Sequence, residues 1–312
     1  MTTSLLRWVC RPVAGLVPKI SDPDKKPMAM VMDGLRATLE DSRPEVLEAR
    51  LGAIDTEWRG FAYEGVGLGL AVFDVLRPRG GSLPAYVAAL PDTYAISAYI
   101  GAGMALAMLR SRRPEAFLAR QDQLVFRWMI MNGYGFFRGF FAQRRFIEQQ
   151  AVVDGLSAYG QRMFDQGLGR AIWFARRGDI AQIIATVAGF PAARLPDLWN
   201  GVGFTCAYAG GTAGAQGCEQ LWAAAGPQRA QLAVAGALAA QRRLGSGYLP
   251  PSTELACQVF CGMPAQDAAQ VAQAALADLP DDRLAPQHRS WRERIEAAFA
   301  PRIDELGHAR AA

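Results

Sequence analysis

Asn132-Gly133-Tyr134-Gly135-Phe136-Phe137-Arg138-Gly139-Phe140 places two glycines one residue apart in a run of bulky side chains, and the same Gly-x-Gly pair returns along the chain. It stands at Gly65-Val66-Gly67, Gly101-Ala102-Gly103, Gly133-Tyr134-Gly135, Gly167-Leu168-Gly169 and Gly201-Val202-Gly203, so that successive first glycines are 36, 32, 34 and 34 residues apart. A degenerate sixth copy falls near Gly236. A constant period of this length marks stacked helix hairpins.

Aligning the copies on the first glycine identifies the element that carries it. Three residues before stand Ala62, Ala98, Ile130, Phe164 and Leu198; three after stand Leu68, Met104, Phe136, Arg170 and Phe204; seven after stand Val72, Met108, Phe140, Phe174 and Tyr208. This is an apolar stripe at helical spacing. Each glycine inside a helix costs about 1 kcal/mol relative to alanine, so its recurrence in pairs needs a structural reason, and closely nested helices supply one. Shorter helical stretches edged by proline lie between the long ones: Leu83 to Leu90, Pro114 to Arg120, Asp179 to Ala188 and Cys218 to Ala225.

The pattern predicts an all-α chain of about six helix-hairpin repeats of roughly 34 residues, either a curved, tetratricopeptide-like solenoid or a closed α/α toroid. The expected organisation is an N-terminal arm or cap over residues 1–42, a helical repeat domain over 43–248 and capping helices over 249–312, with the last dozen residues frayed.

Composition fits this reading. The 312 residues are 51% apolar and 20% charged, a globular balance. A net charge of +4 is spread along the chain, which argues against a nucleic-acid partner. The five cysteines Cys10, Cys206, Cys218, Cys257 and Cys261 are an odd number in a chain long enough to fold without staples, and predict free thiols and a cytoplasmic setting. The N-terminus lacks the order of a signal peptide. Thr93 to Leu109 carries no charge but falls short of the roughly 20 residues a bilayer span needs, so a buried core helix is expected there.

Several chemistries are disfavoured. Gly65, Gly67 and Gly69 do not follow a β-branched strand and recur at helix spacing, unlike a dinucleotide loop. The two histidines, His288 and His308, and the Cys257-x-x-x-Cys261 pair lack the spacing of a metal site, and histidine scarcity argues against a His-activated nucleophile. No metal or cofactor is expected. Asp281-Asp282 after Pro280 reads as a solvated loop.

The position just before each first glycine carries Glu64, Ile100, Asn132, Gln166 and Asn200, four polar groups in apolar surroundings. One position earlier stand Tyr63, Tyr99, Asp165 and Trp199; six before a first glycine stand Arg59 and Arg127; Arg170 interrupts the apolar stripe. Such groups on successive helices form either a groove for an amphipathic ligand or a set of buried hydrogen bonds between neighbours. In the first case Glu64 is the candidate acid or base, and Arg59, Arg127 and Arg170 hold an anionic head group. In the second, Arg170 and Asp165 take part in structural bridges.

The segments Trp58 to Gly67, Asn132 to Phe141, Asp165 to Arg170 and Trp199 to Gly203 resemble the UnbL-type family of enediyne polyketide gene clusters and related bacterial clusters, over about residues 40–245. The resemblance implies a role in maturing a highly unsaturated, apolar polyketide-derived metabolite, beside a membrane protein and an accessory protein of the same pathway. It carries over no catalytic residue. Three functions stand open: binding, with or without transformation, of an apolar polyene; a non-catalytic adaptor gripping a partner protein or peptide on its concave face; and a terpene-cyclase-like toroid.

Overall fold

The computed structural model describes residues 26–77, 81–210, 214–283 and 285–311, and among them every regular element is a helix. Cys10 lies outside the described residues. The chain divides after Tyr134 into two units.

The first unit contains α1 (Lys26–Glu40), α2 (Pro44–Gly52), α3 (Thr56–Leu76), α4 (Ser82–Val87), α5 (Asp92–Met108), α6 (Pro114–Leu118) and the start of α7 (Met129–Phe141). Local chemistry sets the helix starts. Pro44 opens α2, where the missing N–H goes unnoticed. The Asp55 side chain accepts from the Glu57 N–H at the head of α3. Buried Asp74 accepts from the backbone N–H groups of Ser82 and Leu83, tying the end of α3 to the start of α4. Helix α5 is buried from Thr93 to Ala107, which marks a core helix, and no described helix is long and apolar enough to cross a membrane.

The glycine pairs explain how α1, α3, α5 and α7 nest. A Cβ built on Gly101 would lie 1.7 Å from the Glu64 carbonyl oxygen, and one on Gly133 would lie 1.9 Å from that of Ile100. In both cases the oxygen belongs to the residue just before the preceding helix's first-glycine position. The second glycines face forward: Gly67 meets the Ala98 oxygen and Gly103 the Ile130 oxygen, each at 1.9 Å from a built Cβ. Backbone thus packs on backbone, with a glycine Cα–H directed at a carbonyl oxygen.

Helix α1 obeys the same rule. Gly34 meets the Ala62 oxygen and Gly65 meets the Val31 oxygen, so Met32-Asp33-Gly34 occupies the place of Gly-x-Gly. Residues 26–40, expected to belong to an arm or cap, therefore form a nested helix in the same register.

The second unit contains the rest of α7, α8 (Ala158–Ala175), α9 (Ile180–Ala188), α10 (Leu195–Ala209), α11 (Gly214–Ala225), α12 (Arg229–Gly245), α13 (Pro251–Cys261), α14 (Ala265–Ala274) and α15 (Gln287–Ala311). A π-helical turn, Arg144–Glu148, follows α7 and was not expected. Ser157 and Asp179 cap α8 and α9. The seam continues between α7, α8 and α10: Gly135 meets the Phe164 oxygen, Gly169 that of Leu198, and Gly201 that of Gln166. Gly203 instead meets the side chains of Leu232 and Ala235 on α12.

Helices α13 to α15 pack on α12. Helix α15 runs through Pro301 to Ala311, with Arg302 donating to the Gly262 carbonyl and Leu306 seated against Gly262. Those two contacts give the final turns a partner, which composition alone did not reveal.

Candidate functional site

Successive residues of an α-helix turn by about 100°, so the seam glycines divide each nested helix into two further faces. The second and sixth residues before a first glycine lie on the side of the short outer helices and turns. The first and fourth before it, and the third and seventh after it, lie on the opposite, inner side.

The outer positions lock the two layers. Tyr63 donates its hydroxyl to Glu48 of α2 at 2.7 Å, Tyr86 of α4 donates to the same carboxylate at 2.6 Å, and the Tyr63 ring stacks on Tyr94 at 4.2 Å. Burial, then the bond to Glu48, pushes both hydroxyls up. Tyr99 accepts from the Gln123 backbone, and burial raises its hydroxyl too. Arg59 donates to the carbonyls of Gly52 and Ile54, and Arg127 to that of Gln121. In the second unit Arg194 grips Asp165 through two bonds of 2.9 and 2.5 Å, and Gln161 adds a third. Burial nevertheless outweighs the arginine and raises the Asp165 carboxyl. Trp199, buried, shares this register.

Glu64, Asn132, Gln166 and Asn200 take the inner register and are all buried. The Asn200 amide donates to the Gln231 carbonyl of α12, a bridge between neighbouring helices. The expected single row of ligand groups thus separates: Arg59, Tyr63, Tyr99, Arg127, Asp165 and Trp199 lie toward the outer layer, while Glu64, Asn132, Gln166, Asn200 and Arg170 lie inward. Glu64 and Asn132 belong to the first unit; Gln166, Arg170 and Asn200 belong to the second.

Arg170 is the member of the original set that leads to a site. Its guanidinium carbon lies 5.0 Å from the Phe136 ring and 5.8 Å from the Phe204 ring. Phe204 is approached in turn by Arg242, at 5.4 Å, and stacks on Tyr208 at 5.2 Å. Arg242 also lies 4.7 Å from Tyr208. Arg243 also approaches Tyr208, 4.0 Å from its ring, and donates to its carbonyl. Phe136 stacks on Phe140 and meets Phe174 edge-on, and both of those outer rings are only half-buried. Guanidinium and aromatic ring alternate across the inner faces of α7, α8, α10 and α12, an arrangement favoured by the ring quadrupole.

Sequence reading missed Arg242 in this row. Its register is visible only if Ala235, and not Gly236, is taken as the first position of the last copy, because Arg242 then falls seven residues on, level with Phe174 and Tyr208. Gly203 against Ala235 is the contact that fixes this register.

The other end of the same inner faces is covered by α15. Tyr159 shares a 2.7 Å hydrogen bond with the His288 Nδ1, and Arg292 reaches both Asp197 and Gln231 at 3.2 Å. Arg162 adds a second cation on Asp197 at 2.9 Å. Burial, with Arg292 and Arg162 nearby, holds the His288 imidazole well below its ordinary range, so the ring is neutral. These residues close the N-terminal end of the inner face and leave the aromatic–arginine row at the C-terminal end.

The model of a protein family of unknown function, DUF1702, matches residues 25–299. The chain belongs to this family. Membership in DUF1702 extends from α1 into α15, so it takes in the nested helices, the aromatic–arginine row and the closing contacts of His288 and Arg292. No curated protein and no solved structure matches the chain. Among the described residues no cluster of three or more histidine, cysteine, aspartate or glutamate side chains is placed to hold a metal ion.

Proposed function

We propose that this chain binds an elongated, conjugated apolar molecule with an anionic end group along the inner face of its second unit, in the bacterial maturation of a polyketide-derived metabolite. The observation that carries the reading is the placement of Arg170 between Phe136 and Phe204, and of Arg242 against Phe204 and Tyr208. A guanidinium lying over a ring keeps its donors in its own plane, where a carboxylate or enolate oxygen meets them at the edge. The neighbouring rings offer flat apolar surface to an extended π-system. With the face closed by Tyr159 and His288 at one end, such a ligand would enter at the other, beside half-buried Phe140 and Phe174. The resemblance to the enediyne-cluster family supports the choice of a highly unsaturated ligand. Glu64, the carboxylate in the inner register of the first unit, is the acid–base candidate for any transformation.

Parinaric acid, a conjugated tetraene carboxylic acid whose fluorescence rises on leaving water, tests the reading directly. The wild type is expected to bind it, and Arg170→Met and Arg242→Met are each expected to weaken binding by about 10- to 100-fold, the loss of one charge-assisted hydrogen bond. Native mass spectrometry of protein purified from the producing bacterium should show a bound small molecule. A stoichiometric protein partner in its place, with no probe binding, would establish the adaptor reading and remove this one. Burial of Phe136, Arg170, Phe204, Tyr208 and Arg242 supports a small ligand over a peptide, because a peptide backbone needs an open surface.

A further inference from the structure

Four cysteines lie among the described residues, all buried and free, and they fall into two pairs of different character. Cys257 and Cys261 sit one turn apart on α13, and each thiol is directed at a backbone carbonyl of α12: Cys257 at Gly236, 3.4 Å, and Cys261 at Ala233, 3.3 Å. These thiols hold two helices together. Cys206 on α10 and Cys218 on α11 face each other instead, Sγ to Sγ at 3.7 Å. Gly210, which ends α10, and Gly214, which opens α11, both take positive φ.

We propose that Cys206 and Cys218 are a redox site, forming a reversible disulfide when the folded protein meets a peroxide. A disulfide has an S–S length of about 2.05 Å, so from 3.7 Å the two sulfurs must approach by roughly 1.6 Å. The pair is also chemically asymmetric. The bond from Cys206 draws the Cys218 thiol down, and the same contact with burial pushes Cys206 up. That asymmetry favours Cys218 as the attacking sulfur and Cys206 as the resolving one.

In the first step the Cys218 thiolate attacks one peroxide oxygen. An S–O bond forms as the O–O bond breaks, and the departing hydroxide takes up a proton to leave as water. Cys218 is now a sulfenic acid. In the second step the Cys206 sulfur attacks the Cys218 sulfur, the S–O bond breaks, and a second water leaves with the Cys206 proton. Two thiols have lost two electrons and two protons, and one hydrogen peroxide has become two waters.

Peptide mapping of folded, reduced protein in a Cys10→Ser background after brief exposure to hydrogen peroxide tests this. The expected product is a Cys206–Cys218 cross-linked peptide, two hydrogens lighter and restored by dithiothreitol, with thiol loss at this pair about tenfold faster than at Cys257 and Cys261. Cys206→Ser should leave Cys218 as a sulfenic acid that dimedone traps, while Cys218→Ser should leave Cys206 unmodified. Equal oxidation of all four cysteines, or cross-linking only after denaturation, overturns the proposal without any substitution at the pair itself. Dimedone labelling of Cys206 in place of Cys218 overturns the assignment of roles. None of these readouts depends on the ligand proposed above.

Discussion

Gly101→Ala is the sharpest test of the nested backbone. The added methyl would lie 1.7 Å from the Glu64 carbonyl oxygen and 2.8 Å from the Leu68 nitrogen. An ordinary carbon–oxygen contact is about 3.3 Å, so α5 and α3 must separate locally by roughly 1.6 Å. Neither neighbour is a side chain that can rotate away. A gap of only ~0.5–1 Å already forfeits a quarter to a half of each contact's dispersion energy, which places this overpacking at or above the upper end of the usual range, about 3 kcal/mol. Alanine's better helix propensity returns about 1 kcal/mol, leaving a net loss of about 2 kcal/mol or more. For a chain of this size that lowers Tm by roughly 3 °C. Gly52→Ala is the control, because nothing lies within 4 Å of its added methyl, and its expected change is neutral or a gain of up to ~1 kcal/mol. Thermal and urea unfolding of the two variants in parallel decide the matter. Equal midpoints for Gly101→Ala and Gly52→Ala would refute the backbone seam.

Two further predictions follow from buried charge. Asp165→Asn leaves the Arg194 guanidinium buried without its carboxylate and should cost about 3 kcal/mol in urea unfolding; because Asp165 faces the outer layer, parinaric acid affinity should stay within about twofold, and a larger fall in affinity at unchanged stability would return Asp165 to the ligand site. His288 is held neutral in the fold, whereas in the unfolded chain it takes up a proton near pH ~6.5. The unfolded state then binds more protons, so this group's contribution to stability is intact above that pH and declines as pH falls through it, by up to about 1.4 kcal/mol per unit. Urea midpoints measured from about pH 7.5 to 5 should slope more steeply for the wild type than for His288→Asn, and identical slopes would show that His288 is not the cause.

The nested helices were legible in the sequence because a glycine that accommodates a backbone cannot be replaced, and such glycines recur with the fold. Gly34 shows where that legibility ended. It lies 33 residues before Gly67 and does the same work, but Met32 stands where the first glycine would be, so the pair pattern passed over α1. The candidate groove was only partly legible for a different reason. Adjacent positions in the alignment, such as Asp165 and Gln166, looked like one polar line, whereas a turn of about 100° separates them and sends one side chain to Arg194 and the other inward. Arg170 was visible as an interruption of an apolar stripe. Its aromatic and cationic neighbours come from α7, α10 and α12, and only the packed register brings Phe136, Phe204 and Arg242 to it.

The seam also carries its own stop. Each nested helix presents a forward half, made of its second glycine and the carbonyl just before its first, and a matching rear half. A tandem copy of one hairpin would therefore dock onto any other, and an array of this kind lengthens by duplication with no redesign. Helix α12 breaks the rule: Ala237 stands where the forward glycine belongs, and Gly236, one residue off, admits Cys257 and Cys261 of α13 instead of a carbonyl. The methyl groups of Ala235 and Ala237 thus stand where α12 would need glycine on its rear and forward sides, and the array passes there from backbone packing to side-chain packing.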